Sequence, residues 1–230
     1  MNSLSLSWRD RIGAVLRDNR LIIAAELLVA TILQALHALG IIPTAVIFLF
    51  ITGWLSLGLR KSGWRQLGMS RPPSWLRTIA IGTTVGVVFQ FVSLWLVEPL
   101  LQQLTNEPLD LTQFEPVRVN VSLLLISLII SWTLAAFGEE MVHRGYLLNR
   151  FADLFGHSRA GWAVALIGSS ALFAFGHAYQ GITGILGEFL FACVMAGLYL
   201  GGRRNLWFPI IAHGIYNTVG LVLIFLGLYP

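Results

Sequence analysis

The stretch that decides the fold covers residues 121–148 and reads VSLLLISLIISWTLAAFGEEMVHRGYLL. Residues 121–138 carry no charged side chain, and about 20 mostly apolar residues are what one membrane-spanning helix needs. The run then reaches Glu139, Glu140 and Arg144, which are costly inside a bilayer and are rarely placed there without a function. The stretch therefore predicts a membrane helix that carries a functional site.

The composition of the whole chain predicts an integral membrane protein. Of its 230 residues, 56% are hydrophobic and 11% are charged, and the mean hydropathy is +0.75. Ordinary soluble domains carry about 25% charged residues, and disordered chains are less apolar than this one, so both classes are excluded. We expect an all-α, polytopic membrane helix bundle with about seven transmembrane helices, or eight. The candidate spans are 21–39, 42–59, 78–101, 120–150, 161–180, 184–201 and 207–228.

The fourth candidate span, 120–150, is too long for a simple crossing, so we expect a break or a steep tilt within it. No repeat or linker divides the chain. We expect residues 1–20 to form a cytoplasmic segment, with helical spacing that suits an interfacial helix, and residues 21–230 to form one transmembrane domain. The single cysteine, Cys193, excludes an internal disulfide and a cysteine-based zinc site within one chain.

The basic residues predict the orientation of the chain. All fifteen Lys and Arg side chains except Arg118 fall in segments 1–20, 60–77, 144–159 and 203–204. Seven crossings that start from a cytoplasmic N-terminus place these four segments on the cytoplasmic side, as the positive-inside rule requires. We therefore expect a cytoplasmic N-terminus and an outside C-terminus, and we interpret the excess of positive charge as a mark of membrane topology rather than of nucleic-acid binding.

Polar side chains inside the predicted spans mark the candidate site, because polar groups in a bilayer need partners. Glu140 and Arg144 are four residues apart, the spacing of an ion pair on one helix face, and the adjacent Glu139 then points elsewhere. The other members form two pairs, each with the same spacing of four, in two later spans: Phe173 with His177, and His213 with Asn217.

These three groups lie at similar depths. Counted at 1.5 Å per residue from the nearest basic segment, Glu139, His177 and His213 lie about 14–24 Å along their helices. Helix tilt covers this spread. We therefore expect one polar cavity between the helices, open to the cytoplasm.

Two kinds of chemistry suit this set of side chains, which has no serine, threonine or cysteine paired with a base. In the first, Glu139 and His177 activate a water molecule, and His213 and Asn217 stabilise the oxyanion that forms on a peptide carbonyl. In the second, Glu139, His177 and His213 hold Zn²⁺, which acidifies the water. The zinc-protease helix motif His-Glu-x-x-His is absent, so no metal is required by the sequence and zinc stays an alternative.

The remaining polar residues of the spans are expected to be structural. Glu26, His37 and Glu98 lie near predicted span ends or far from the three motifs. His143 is one helical turn from Glu139, and we expect it to be packed rather than catalytic. Glu188 is interpreted as a protonated core acid or as a partner of the site.

In these residues the chain resembles the CAAX protease and bacteriocin-processing family of intramembrane endopeptidases, which includes the type II CAAX prenyl proteases. The family motifs Glu-Glu-x-x-x-Arg, Phe-x-x-x-His and His-x-x-x-Asn/Asp occur here in order. They read Glu139-Glu140-x-x-x-Arg144, Phe173-x-x-x-His177 and His213-x-x-x-Asn217. The resemblance covers about 120–220 well and the first hundred residues loosely.

The resemblance implies an intramembrane endopeptidase of the bacterial plasma membrane, acting on a peptide or membrane-protein substrate. It implies Glu139 and His177 as water activators, His213 and Asn217 as oxyanion stabilisers, and Glu140, Arg144 and Phe173 as supporting residues. Family members are described both as metalloproteases and as metal-independent glutamate proteases, and we favour the latter. The alternatives are a non-catalytic scaffold or bacteriocin self-immunity protein that uses the same cavity, and a transporter with a proton relay, which the absence of an internal repeat disfavours.

Overall fold

The computed structural model describes residues 19–229 together with Gly13, Val15 and Leu16, and all regular structure in this part of the chain is helical. The predicted interfacial segment 1–20 lies almost wholly outside the described residues. The long helices are α1 Arg20–Ala38, α2 Val46–Leu59, α3 Trp75–Thr105, α4 Val121–Phe155, α5 Arg159–Phe175, α6 Gly181–Gly201 and α7 Trp207–Phe225. Short 3-10 turns at Thr112–Val117 and Ala178–Gln180 precede α4 and α6.

The prediction of an all-helical membrane protein is confirmed. Among the described residues, α1, α3, α4, α6 and α7 are long and apolar enough to cross a membrane. The other two helices are apolar but shorter, with 14 residues in α2 and 17 in α5. Each of the seven predicted spans therefore contains a helix, and five of these helices have the length of a span.

Polar caps define where several of these helices begin. The side chains of Asn19, Ser74, Asn120 and Ser158 each accept a hydrogen bond from a backbone N–H in the first turn of the helix that follows. These N–H groups have no partner within the helix, and Asn and Ser are among the residues that satisfy them best.

Helix α4 is continuous, so the expected break in 120–150 does not occur. Instead, the hydrogen bonding becomes π-helical over Ser131–Leu147. At the end of this segment, the Leu148 N–H donates to the carbonyl of His143, five residues earlier. A π-helical turn holds more residues than an α-helical turn and is often found at functional sites. The motif Glu139-Glu140-x-x-x-Arg144 lies wholly within the segment.

Helix α3 packs closely against α7 through two glycines that lie on one face. A Cβ at Gly86 would lie 2.5 Å from the Ala212 carbonyl oxygen, and one at Gly82 would lie 2.8 Å from Ile211. Small residues four apart allow membrane helices to approach in this way.

The contact between α4 and α7 also depends on a glycine. The indole of Trp132 on α4 occupies the space beside Gly214, where a Cβ would lie only 2.5 Å from the ring. The indole N–H also donates to the Thr218 hydroxyl at 3.1 Å. This contact places the α4 carboxylates next to His213, the neighbour of Gly214.

The helix connections gather at two opposite faces of the bundle. At the first face, which we call the arginine face, lie residues 60–74, 156–158 and 202–206, and the Leu206 N–H donates to the Gly68 carbonyl at 3.1 Å. At the second, which we call the acidic face, lie residues 106–120, 176–180 and 226–229. There the Asp110 N–H donates to the Gln180 carbonyl at 3.2 Å, and the Val119 N–H donates to the Phe225 carbonyl at 3.1 Å.

Candidate active site

Glu140 is fully buried and joins two of the three motifs. Its Oε1 atom lies 2.8 Å from Nδ1 of His213 on α7 and 3.0 Å from Nη1 of Arg144. The ion pair with Arg144 has the spacing that the sequence predicts. A buried carboxylate needs such partners to remain ionised. The Glu140 carboxylate is therefore held between the Arg144 guanidinium and the His213 ring.

Arg144 connects this charge to the second motif and to α6. Its Nη2 donates to the Ala192 carbonyl at 3.2 Å, and its guanidinium carbon lies 4.5 Å from the ring centroid of Phe173. Contact between a cation and an aromatic face is attractive, and more so away from water. Phe173 is only 1% exposed, so it is packed between Arg144 and the histidines of the site.

His177 follows the end of α5, and its ring is oriented by its own helix. Nδ1 lies 3.1 Å from the Phe173 carbonyl oxygen, and the ring centroids of Phe173 and His177 are 4.7 Å apart. A carbonyl can only accept, so Nδ1 carries the proton in this hydrogen bond. In the neutral ring Nε2 therefore has a free lone pair, which suits a proton acceptor.

His213 has the same arrangement of its two ring nitrogens. The ionised carboxylate of Glu140 accepts from Nδ1, so in the neutral ring Nε2 carries the lone pair. Nε2 lies 4.0 Å from Oε2 of Glu139, and this Glu139 oxygen has no hydrogen-bond partner. Nε2 of His213 is thus a hydrogen-bond donor only when the ring is an imidazolium.

One cavity of about 410 Å³ brings the four predicted catalytic side chains together. Its wall includes Glu139, His177, His213 and Asn217, from α4, the end of α5, and α7. The supporting residues Glu140, Arg144 and Phe173 lie behind this wall. Carboxylate, imidazole and carboxamide groups around one such volume can bind and polarise a carbonyl and a water molecule.

The cavity does not extend in the expected direction. We expected it to open on the side of the arginine-rich loops, but none of the residues 60–74, 156–158 or 202–206 lines it, whereas residues of the acidic face do, including Leu111, Phe114, Val117, Tyr179 and Tyr229. The reason is the position of His177. Helix α5 begins at Arg159 on the arginine face, and His177 follows its other end, directly before the 3-10 turn Ala178–Gln180 on the acidic face. The depth of each residue was counted only from the basic segments, so the count did not show that His177 lies next to the opposite face.

Two acids beyond the three motifs also line the cavity. Glu188 is a half-buried residue of α6, and Glu98 of α3 accepts hydrogen bonds from Ser93 at 3.2 Å and from the Tyr229 hydroxyl at 2.6 Å. The expectation that Glu98 lies away from the site is therefore wrong. Both acids stand in apolar runs, which is a usable sequence signal. Tyr216, Tyr229 and Gln90 also line the cavity, and nothing in their sequence context indicated it.

The other polar residues of the spans have structural partners. Glu26 forms an ion pair with the buried Arg60 at 2.5 Å, and His37 lies 3.3 Å from the Ile42 carbonyl oxygen. His143 lies 3.2 Å from the Gln34 amide and packs edge-on against Phe173. His143 therefore packs behind the cavity wall, as expected.

The histidines of the cavity have one property of metal ligands, but the side chains around them are not grouped as a metal site requires. Both histidines have Nδ1 engaged and Nε2 free, as metal-ligating histidines usually do. Within residues 19–229, however, no three His, Cys, Asp or Glu side chains are gathered closely enough to hold a metal ion. The positions of the Glu139, His177 and His213 side chains in this structure therefore do not fit a zinc ion held by all three.

Comparison with known proteins supports the motif-based resemblance. No curated protein and no solved structure matches the chain. Residues 121–219 match a family model described as type II CAAX prenyl endopeptidase Rce1-like. The matched region contains all three motifs. The part of the chain that builds this site therefore resembles the Rce1-like type II CAAX prenyl endopeptidases, and the match supports membership of the CAAX protease and bacteriocin-processing family.

Proposed function

We propose that the protein is an intramembrane endopeptidase in which Glu139 and His177 activate a water molecule for attack on a peptide bond. The observation that carries this proposal is the meeting of the Glu139 carboxylate with the free Nε2 atoms of two histidines in one cavity. The family match supports a CAAX-type endopeptidase in general.

The reaction needs one base that takes up a proton and later gives it back. Glu139, with His177, binds water and accepts a proton as the oxygen attacks the carbonyl carbon. The tetrahedral oxyanion accepts hydrogen bonds from the Asn217 carboxamide and from the imidazolium form of His213. Glu139 then delivers the proton to the leaving nitrogen as the carbon–nitrogen bond breaks, which leaves a carboxylic acid and an amine.

Glu140 and Arg144 act on this reaction through His213. The carboxylate of Glu140 holds Nδ1 and stabilises positive charge on the ring, as the buried acid of a catalytic triad does for its histidine. Arg144 keeps Glu140 ionised and orients Phe173 beside His177. No step requires a metal ion.

The first test is cleavage by the purified protein in detergent. A farnesylated CAAX peptide and an unprenylated peptide library, read by mass spectrometry, serve as substrates. Glu139→Gln and His177→Ala should each lower the rate about 10²–10⁴-fold, which is the usual contribution of a general base. His157→Ala, an exposed histidine on the arginine face, is the matched control and should keep full activity.

Two outcomes would count against the proposal. Full activity of folded Glu139→Gln would remove the water-activation role, and peptide binding without cleavage by the wild type would favour the non-catalytic scaffold or immunity protein. A strong chelator should leave activity unchanged. Loss of activity in chelator, with recovery on adding Zn²⁺, would replace the glutamate mechanism with a zinc mechanism.

A further inference from the structure

The two faces of the bundle differ sharply in charge. At the arginine face lie Arg65, Arg71, Arg203 and Arg204, with few acids nearby in sequence. At the acidic face, the segment 106–120 contains three acids, Glu107, Asp110 and Glu115, against the single base Arg118. Cytoplasmic loops of membrane proteins carry the excess of Lys and Arg. The acidic face is therefore the non-cytoplasmic one.

The cavity of the candidate site reaches the acidic face and not the arginine face. No residue of 60–74, 156–158 or 202–206 lines it, whereas Leu109, Leu111, Ile224 and Tyr229 line both the cavity and an outer groove of about 900 Å³. This groove also includes the three acids of segment 106–120. Because they share these four lining residues, the groove and the cavity are adjacent, and a path from the acidic face to Glu139 would pass through both.

Helix α4 provides one wall of this path. Ser127, Ser131, Ala135 and Glu139 follow one another at intervals of four, and all four line the cavity. The first three are small, so they leave space along the helix from its outer end to the carboxylate. An extended peptide could lie along this wall without moving the helix.

Two buried polar groups in the same volume have no hydrogen-bond partner. The Ser131 hydroxyl and the Gln90 amide nitrogen belong to side chains that are 6% and 1% exposed, and both residues line the cavity. Buried polar groups without a partner are rare, because each costs about 1–3 kcal/mol. Their position between the outer groove and Glu139 suits hydrogen bonds to the backbone of a bound peptide.

We propose that the substrate is a polypeptide segment on the non-cytoplasmic side of the membrane, which enters beneath segment 106–120 and lies along Ser127, Ser131 and Ala135 to reach Glu139. Cleavage itself rests on the proposed function. The route of entry does not, because it is a property of the cavity and of the orientation of the chain.

The test measures from which side of the membrane the cavity is reached. Because Cys193 is the only cysteine, Cys193→Ala provides a background without thiols. Into it are placed Ser127→Cys in the cavity wall, Glu115→Cys on the acidic face and His157→Cys on the arginine face. A charged, membrane-impermeant methanethiosulfonate is applied to intact bacterial cells and to inside-out vesicles.

In intact cells the reagent should modify Ser127→Cys and Glu115→Cys but not His157→Cys. In inside-out vesicles it should modify His157→Cys. Modification of Ser127→Cys only from the side on which His157→Cys reacts would overturn the proposal. So would a cavity thiol that reacts from neither side while Glu115→Cys reacts from outside, because the path would then be closed.

A second measurement separates this proposal from the proposed function. A reporter peptide anchored in the membrane is presented either outside or in the cytoplasm of the same cells. Cleavage of the outside reporter alone supports both proposals, and cleavage of the cytoplasmic reporter alone overturns the route of entry. Absence of cleavage combined with outside labelling of Ser127→Cys would overturn the endopeptidase and leave the route standing.

Discussion

Glu140 contacts His213 and Arg144, and we propose that it acts on the reaction through His213. Glu140→Gln keeps the shape of the side chain but removes the charge that holds Nδ1 of His213. We expect kcat to fall by roughly 10–100-fold with little change in KM, as for partners that orient a histidine elsewhere, and the pH profile of kcat to shift. Asp153→Asn, which alters a carboxylate paired with Arg150, is the control. An unchanged pH profile in folded Glu140→Gln would show that the charge has only a structural role.

Arg144 is expected to matter more for stability than for chemistry. Arg144→Met leaves the fully buried Glu140 without its cation, and breaking such a pair costs about 3–5 kcal/mol. The double variant Glu140→Gln/Arg144→Met removes both charges and should recover part of that loss. Thermal unfolding in detergent measures the effect, and losses that simply add would contradict a coupled pair.

The sequence predicted which polar residues share one cavity better than it predicted their surroundings, and the catalytic roles of these residues stay predictions. Glu139, His177, His213 and Asn217 were recognisable because polar groups are rare in apolar spans, and their spacing of four places each pair on one face. Glu98 was misjudged, because its contacts come from Tyr229, which is distant in the chain. Contacts between residues remote in sequence leave no local pattern.

At the level of helices, the packing of α3 against α7 depends on the absence of a side chain at Gly86. Gly86→Ala would bring a Cβ to 2.5 Å from the Ala212 carbonyl oxygen, a backbone atom that cannot move alone. We expect a loss of about 1–3 kcal/mol, typical of overpacking, measured as a lower Tm. Gly197→Ala in α6 meets no atom within 4 Å and should be neutral or stabilising. Equal Tm values for the two variants would show that α3 and α7 do not pack tightly.

A hydropathy pattern predicts where the helices lie but not their internal hydrogen bonding or their packing. Apolar runs located all seven long helices, because a bilayer requires continuous apolar surface. They did not reveal that α4 stays unbroken through Ser131–Leu147, since π-helical and α-helical turns have the same composition. The open side of the cavity was also missed, because it depends on the packing of His177 against the acidic face.

Considered as a whole, the bundle contains helices of unequal length. At 1.5 Å per residue, α2 and α5 span about 21 and 26 Å, less than the roughly 30 Å of a typical hydrocarbon core. A bilayer that thins around them meets a modest penalty for each ångström of mismatch. We expect a higher Tm in liposomes of short-chain phosphatidylcholine than in those of long-chain phosphatidylcholine. A Tm that rises steadily with chain length would contradict this expectation.

The π-helical segment of α4 makes the protein sensitive to the number of residues before its motif. Deleting one residue between Ser131 and Ala136 would rotate everything that follows about the helix axis by the angle that one residue occupies. Glu140 would swing away from His213, although every motif letter would be unchanged. Insertions and deletions in this short stretch should therefore abolish the proposed activity, because the rotation of α4 about its axis determines which of its side chains face His213 and the cavity.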